Sequence, residues 1–146
     1  MIPLDTNVVS EWMKREPEPA VIAWLDCQPA SRLFISAVTR AEIEVGIGIL
    51  PKGRRKTALT AAAQVVLRDF EQRCLAFDCA CARRYASILI ESRRLGRPIS
   101  VEDAQIAAIA LHHTGQLATR NVADFDFLGD LELVNPWAQT GPASAH

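Results

Sequence analysis

Residues 33–51 read LFISAVTRAEIEVGIGILP, and this stretch sets the fold. Leu33-Phe34-Ile35 is a short apolar run of the kind that forms a buried strand. Ser36 has the side chain of a helix N-cap. Val38, Ile43, Ile47 and Leu50 then recur at the spacing of one helical face, and Pro51 closes the segment. A strand that passes through a cap into an amphipathic helix is half of a β-α-β unit, the building block of a parallel sheet.

The same alternation extends outward in both directions. Upstream, Ile2-Pro3-Leu4 is a very short strand ending at Asp5-Thr6-Asn7, and a helical pattern runs on through Trp12. Pro17-Glu18-Pro19 interrupts it, and a second helix from Ala20 to Cys27 carries Val21, Trp24 and Leu25 on one side. Downstream, Lys52 to Lys56 reads as a basic turn and Thr57 to Arg73 as a helix with Leu59, Ala62, Val66, Leu67 and Phe70 inward. Leu75-Ala76-Phe77 is a candidate third strand. Cys81 to Leu95 is a helix with Gly96 as its left-handed terminator, and Pro98-Ile99-Ser100 opens the next, which ends at Gly115. Leu117-Ala118-Thr119 and Leu131 to Val134 supply the fourth and fifth strands. The expected architecture is an α/β domain with a short, mostly parallel sheet covered on both faces, over residues 1–137. Residues 138–146 are small and polar and are expected to form a flexible tail.

The 146 residues suit one domain. A net charge of -1 lacks the overall basic excess of many nucleic-acid binders, although charge segregated by face would escape that sum. No apolar run approaches the roughly 18 residues of a membrane span, and the N-terminus lacks the basic and apolar regions of a secretory leader. The expected location is therefore the cytoplasm. Cys27, Cys74, Cys79 and Cys81 form no C-x-x-C pair and sit at no zinc-finger spacing from His112 or His113, so they read as reduced structural thiols.

Ligands of open parallel sheets bind at the carboxyl ends of the strands. Asp5 falls at the end of the first strand, Glu42 in the helix after the second, and Asp124 in the loop after the fourth. Asp103 opens the helix leading into the fourth strand, a position that the rule does not supply directly. Each acid has an ordinary explanation: Asp5 as a helix cap, Asp103 in a capping box after Ser100, Glu42 facing solvent, Asp124 in a turn. Converging carboxylates, however, repel one another, and burial raises the cost of ionising them. A cation relieves both costs. Oxygen ligands without His or Cys point to a hard ion, Mg²⁺ or Mn²⁺, and the implied chemistry is phosphodiester hydrolysis. Thr6 and Asn7 beside Asp5, and Thr119 and Asn121 before Asp124, are candidates to orient the acids.

Leu4-Asp5-Thr6-Asn7, Ser36-x-x-Thr39-x-x-Glu42, Asp103-x-x-Ile106-Ala107 and Thr119-Arg120-Asn121-x-x-Asp124-Phe125 together resemble the PIN-domain signature in order and spacing. Within it, Pro98 to Ala107 is most similar to the FitB-like branch of the VapC-type toxins, and the resemblance covers residues 1 to 137. It implies a three-layer α/β/α sandwich and Mg²⁺- or Mn²⁺-dependent cleavage of RNA. It also implies catalytic and metal-binding roles for Asp5, Glu42, Asp103 and Asp124, supported by Thr119 and Asn121. The implied partners are a second copy of the chain and a small DNA-binding antitoxin of the VapB or FitA kind, assembled as a dimer of dimers.

Basic residues cluster at Lys52, Arg54, Arg55 and Lys56, and again at Arg83, Arg84, Arg93, Arg94 and Arg97. They are either a solvated helix face or phosphate contacts; Arg93, Arg94 and Arg97 are the candidate RNA contacts. Two other functions compete. A phosphotransferase with a strand-end Asp nucleophile usually needs a second Asp two residues on, where this chain has Asn7. A PIN module that binds RNA or protein without cutting is the non-enzymatic reading.

Overall fold

The computed structural model of the chain describes residues 1–138. Five short parallel strands form the centre: β1 (Ile2–Pro3), β2 (Leu33–Ser36), β3 (Cys74–Leu75), β4 (Gln116–Ala118) and β5 (Glu132–Val134). Seven α-helices connect and cover them: α1 (Thr6–Glu11), α2 (Pro19–Asp26), α3 (Ala37–Gly48), α4 (Arg54–Asp69), α5 (Cys79–Leu95), α6 (Val101–His113) and α7 (Val122–Phe125).

Ile2 pairs with Leu33, Ile35 with Cys74, and Leu117 with Leu133, which gives the ladders β1-β2-β3 and β4-β5. A single bridge between Leu4 and Ala118, reinforced by the Asp5 N–H donating to the Ala118 carbonyl at 2.8 Å, joins them into the order β3-β2-β1-β4-β5. The reason that join is short lies at Pro3. Leu4 N–H donates to Phe34 on β2, and Asp5 N–H to Ala118 on β4. Alternation along the strand turns the backbone nitrogen of Pro3 toward β4 as well, and proline has no N–H to give.

Strand residues alternate between two layers of core. Ile2, Leu4, Leu33 and Ile35 pack with Val8, Val9, Val21, Leu25, Ile43, Leu67 and Phe70 from α1 to α4. Leu117 packs with Ile88, Ala104, Ala107, Ala108, Phe125 and Leu128 from α5 to α7 and the segment after it. The layered sandwich is the one the alternation of elements predicts.

Local chemistry accounts for the element ends. Ser36 Oγ accepts from Thr39 N, Asp78 Oδ1 from Cys81 N, and Ser100 Oγ from Asp103 N, each capping a helix. Gly96 and Gly115 terminate α5 and α6 at φ 64° and 75°, a region that costs a side chain strain. Pro19 opens α2, where a missing N–H costs nothing.

Several boundaries differ from expectation. The Lys52–Lys56 turn is shorter, because α4 begins at Arg54, and Lys56 reaches back to cap the Gly48 and Leu50 carbonyls. The third strand is Cys74–Leu75, since β2 offers pairing partners only up to Ser36. Asp124 lies in the short helix α7 and not in a loop. Pro136–Ala138 form a 3₁₀ turn in which Pro136 is buried and Trp137 packs on the core, so Ala138 is ordered with them. The rest of the expected tail, 139–146, lies outside the described residues. Among the described residues no helix is long and apolar enough to cross a membrane.

Candidate active site

The sheet reverses its strand order between β1 and β4, the place where open α/β sheets leave a crevice at their carboxyl ends. The residues that follow these two strands face each other there. Asp5 is buried and caps α1, its Oδ1 accepting from Thr6 N at 2.8 Å. Its Oδ2 accepts from the Thr119 hydroxyl at 2.7 Å, and Thr119 Oγ1 in turn accepts from Asn121 N at 3.1 Å. Asn7 Oδ1 accepts from Arg120 N at 3.3 Å, a second tie between the two strand ends.

Glu42 approaches from α3. The Thr6 hydroxyl donates to its Oε1 at 2.8 Å and lies 3.3 Å from the buried Thr39 hydroxyl one helical turn earlier. Asp103 approaches from the first turn of α6, fixed by the Ser100 cap at 3.1 Å. Asp124 is exposed on α7. The cap reading of Asp5 is therefore correct as far as it goes; at Asp103 the Ser100 cap takes the backbone N–H, and the charges of Asp5 and Asp124 act on its carboxylate. A carboxylate that caps a helix has a fixed backbone and a restricted rotamer, which suits it to hold a position.

Three of these acids are harder to ionise than ordinary carboxyls. Burial raises Asp5 most; Thr119 and Thr6 N offset this in part, and the charges of Glu42 and Asp124 add to it. Burial likewise raises Glu42, against the Thr6 hydrogen bond and together with Asp103 and Glu102. Asp103 is raised by burial and then by Asp5, with Asp124 and Glu102 contributing and Ser100 opposing. The four carboxylates thus lie within electrostatic reach of one another, and among the described residues none forms an ion pair with Lys, Arg or His. Among the described residues no three His, Cys, Asp or Glu side chains are grouped to hold an ion.

Glu102 belongs to the electrostatics of the site and was not singled out by sequence reasoning; its adjacency to Asp103 was the available signal. The candidate RNA-contact arginines divide. Arg94 forks onto Glu91 at 2.6 and 2.9 Å, Arg97 binds Ala123 O and Asp126, and Arg93 is exposed.

The PIN-domain model matches residues 2–127, and the chain belongs to the PIN-domain family. It is similar to the VapC ribonuclease Y4jK of Sinorhizobium fredii, 40% identical with 94% of this chain and 98% of that protein covered. It is 38% identical to toxin FitB of Neisseria gonorrhoeae over 94% of this chain and 99% of the relative. Among solved structures it is similar to FitAB bound to an IR36 DNA fragment, with a TM-score of 0.87, 37% identity, and 97% and 99% of the two chains covered.

Proposed function

We propose that the chain is a divalent-metal-dependent endoribonuclease, the toxin of a VapBC-type toxin–antitoxin pair. The observation that carries this is the gathering of Asp5, Glu42 and Asp103, with Asp124 beside them, at the switch point of the sheet, where burial first and neighbouring carboxylates second oppose ionisation and, among the described residues, no Lys, Arg or His pairs with them. A fold keeps such a cost where a cation belongs. The donors are oxygens only, which suits a hard ion bound through one or two carboxylates with several waters retained, the habit of Mg²⁺. Mn²⁺ accepts the same donors. When bound, such an ion lowers the pKa of a coordinated water and neutralises charge on a phosphate.

The chain's own residues supply position and proton handling. Thr119 and Thr6 N hold both oxygens of Asp5. Thr6 holds Oε1 of Glu42, which leaves Oε2 to take a proton from the attacking water. The water oxygen bonds to phosphorus, a P–O ester bond breaks, and the leaving oxygen takes a proton from solvent. The exposed Arg93 and the outer face of the Arg94–Glu91 pair, both on α5, are the side chains assigned here to flanking phosphates.

The likeness to a VapC ribonuclease, to a toxin and to FitAB on DNA supports the rest of the reading. That is a cytoplasmic protein that pairs with itself and with a small DNA-binding antitoxin. The test is incubation of purified chain with labelled tRNA and ribosomal RNA in Mg²⁺, Mn²⁺ or EDTA, beside Asp5→Asn and Asp103→Asn. Discrete cleavage that needs metal and disappears in both variants is expected. A chain that neither cuts RNA nor binds Mn²⁺ would sink the reading.

A further inference from the structure

Arg97 stands out because its guanidinium is already engaged. Nη2 donates to the Ala123 carbonyl at 2.9 Å and to Asp126 Oδ1 at 2.5 Å, and the group lies 5.4 Å from the Phe127 ring centre. All three partners belong to α7 or the turn just after it. The backbone of Arg97 is pinned as well: its N–H donates to Ser92 O at 2.9 Å, and its carbonyl accepts from the buried Ser92 hydroxyl, both at the end of α5. Three residues later Ser100 caps α6 and fixes Asp103. One side chain therefore spans from the segment that delivers Asp103 to the helix that delivers Asp124.

That helix needs support. α7 has four residues, too few to be stable alone, and Asn121 gives it no side-chain cap. Phe125 anchors one side of it in the core. Asp124, on the exposed side, is held in direction by whatever fixes rotation about that anchor.

We propose that Arg97 is a positioning residue, a brace that sets the separation of Asp103 and Asp124, and not a phosphate contact. This rests on the nuclease reading of the site. The pair is exposed, 44% for Arg97 and 52% for Asp126, so it contributes little to global stability, and its loss leaves a folded protein. Its effect is local, and misplacing a reacting group by about 1 Å costs on the order of 10²-fold in rate.

The experiment compares Arg97→Ala, Arg97→Lys and Asp126→Ala with the wild type. Expected for both alanine variants are faster amide hydrogen exchange across residues 122–128, weaker Mn²⁺ binding, and kcat lowered about 10–100-fold with KM little changed. The salt slope of RNA binding should stay as in the wild type, and Arg97→Lys, which keeps one of the donors, should fall between. Asp126→Ala separates the two roles: loss of a brace partner lowers kcat, whereas release of a phosphate-binding arginine would tighten RNA binding. A raised KM and a flatter salt slope in Arg97→Ala, with exchange unchanged, would overturn the proposal. If the wild type hydrolyses no RNA, the nuclease reading falls, and the exchange rates and Mn²⁺ affinity still uphold or overturn the brace.

Discussion

Thr119 is completely buried, and its hydroxyl both donates to Asp5 and accepts from Asn121 N. Thr119→Val keeps the shape and deletes both bonds. Activity and metal affinity should drop about 10–100-fold, the usual cost of losing a group that orients a ligand. Steady-state kinetics with Mn²⁺ titration checks this; an unchanged affinity would mean that Asp5 needs no such support. Glu11 is a different buried acid. Burial opposes its charge, but Lys14 at 2.5 Å and the Glu18 N–H at 3.0 Å, with Arg120 farther off, hold its carboxyl below the ordinary glutamate value. Its contribution to stability is therefore present above the unfolded value, near pH 4.5, and is lost as pH falls through the lowered folded value. Unfolding curves for Glu11→Gln should show a deficit above that pH that closes below it. The acids gathered at the crevice could be singled out in the sequence because Asp5 ends a strand and Glu42, Asp103 and Asp124 recur at the spacing of the PIN signature. Glu11 could not, since Val8-Val9-Ser10-Glu11-Trp12 reads as an ordinary helical pattern and its partners Lys14 and Glu18 lie past the helix end.

At the scale of elements, capping chemistry was the most transparent signal. Ser36, Ser100 and Gly96 do what their residue types suggest. Asp78 caps α5 three residues before the helix shows in the apolar spacing, because the first turn, Cys79 to Cys81, buries only its last residue. α7 was missed because four residues are too few to show a period, and β3 starts one residue and ends two residues earlier than expected because its register is chosen by β2. Ser100 combines two duties, since the N–H it caps is that of Asp103. Ser100→Ala should cost about 1 kcal/mol of stability. It should also lower activity more than Ser36→Ala, whose cap holds Thr39 N and no acid directly. Equal activities in the two variants would show that the α6 cap does not position Asp103.

For the whole molecule, the raised carboxylates act opposite to Glu11. A group protonated more readily in the folded state contributes stability at low pH that is lost as pH rises through its folded value. Without metal, the fold therefore carries a penalty at neutral pH from Asp5, Glu42 and Asp103. Mn²⁺ should raise the melting temperature, by linkage worth about 2.7 kcal/mol at a hundredfold excess over Kd. Asp5→Asn should melt higher than the wild type in EDTA and gain nothing from Mn²⁺. Thermal scans with and without chelator decide this; a variant less stable in EDTA would show that the Thr119 and Thr6 bonds outweigh the repulsion. The layered architecture was legible from the alternation of strands and helices. The narrow join between its halves was not, because it follows from the direction of one missing N–H at Pro3.

That join has a consequence in time. The ladder β1-β2-β3 is complete by Leu75, but Leu4 meets Ala118, and Asp5 meets Thr119, across 114 residues for the side-chain bond. A ribosome making this chain delivers Asp5 114 residues ahead of the Thr119 hydroxyl that holds it. On the function proposed above, a growing chain that has not yet reached Thr119 holds an incomplete site and is not yet a nuclease.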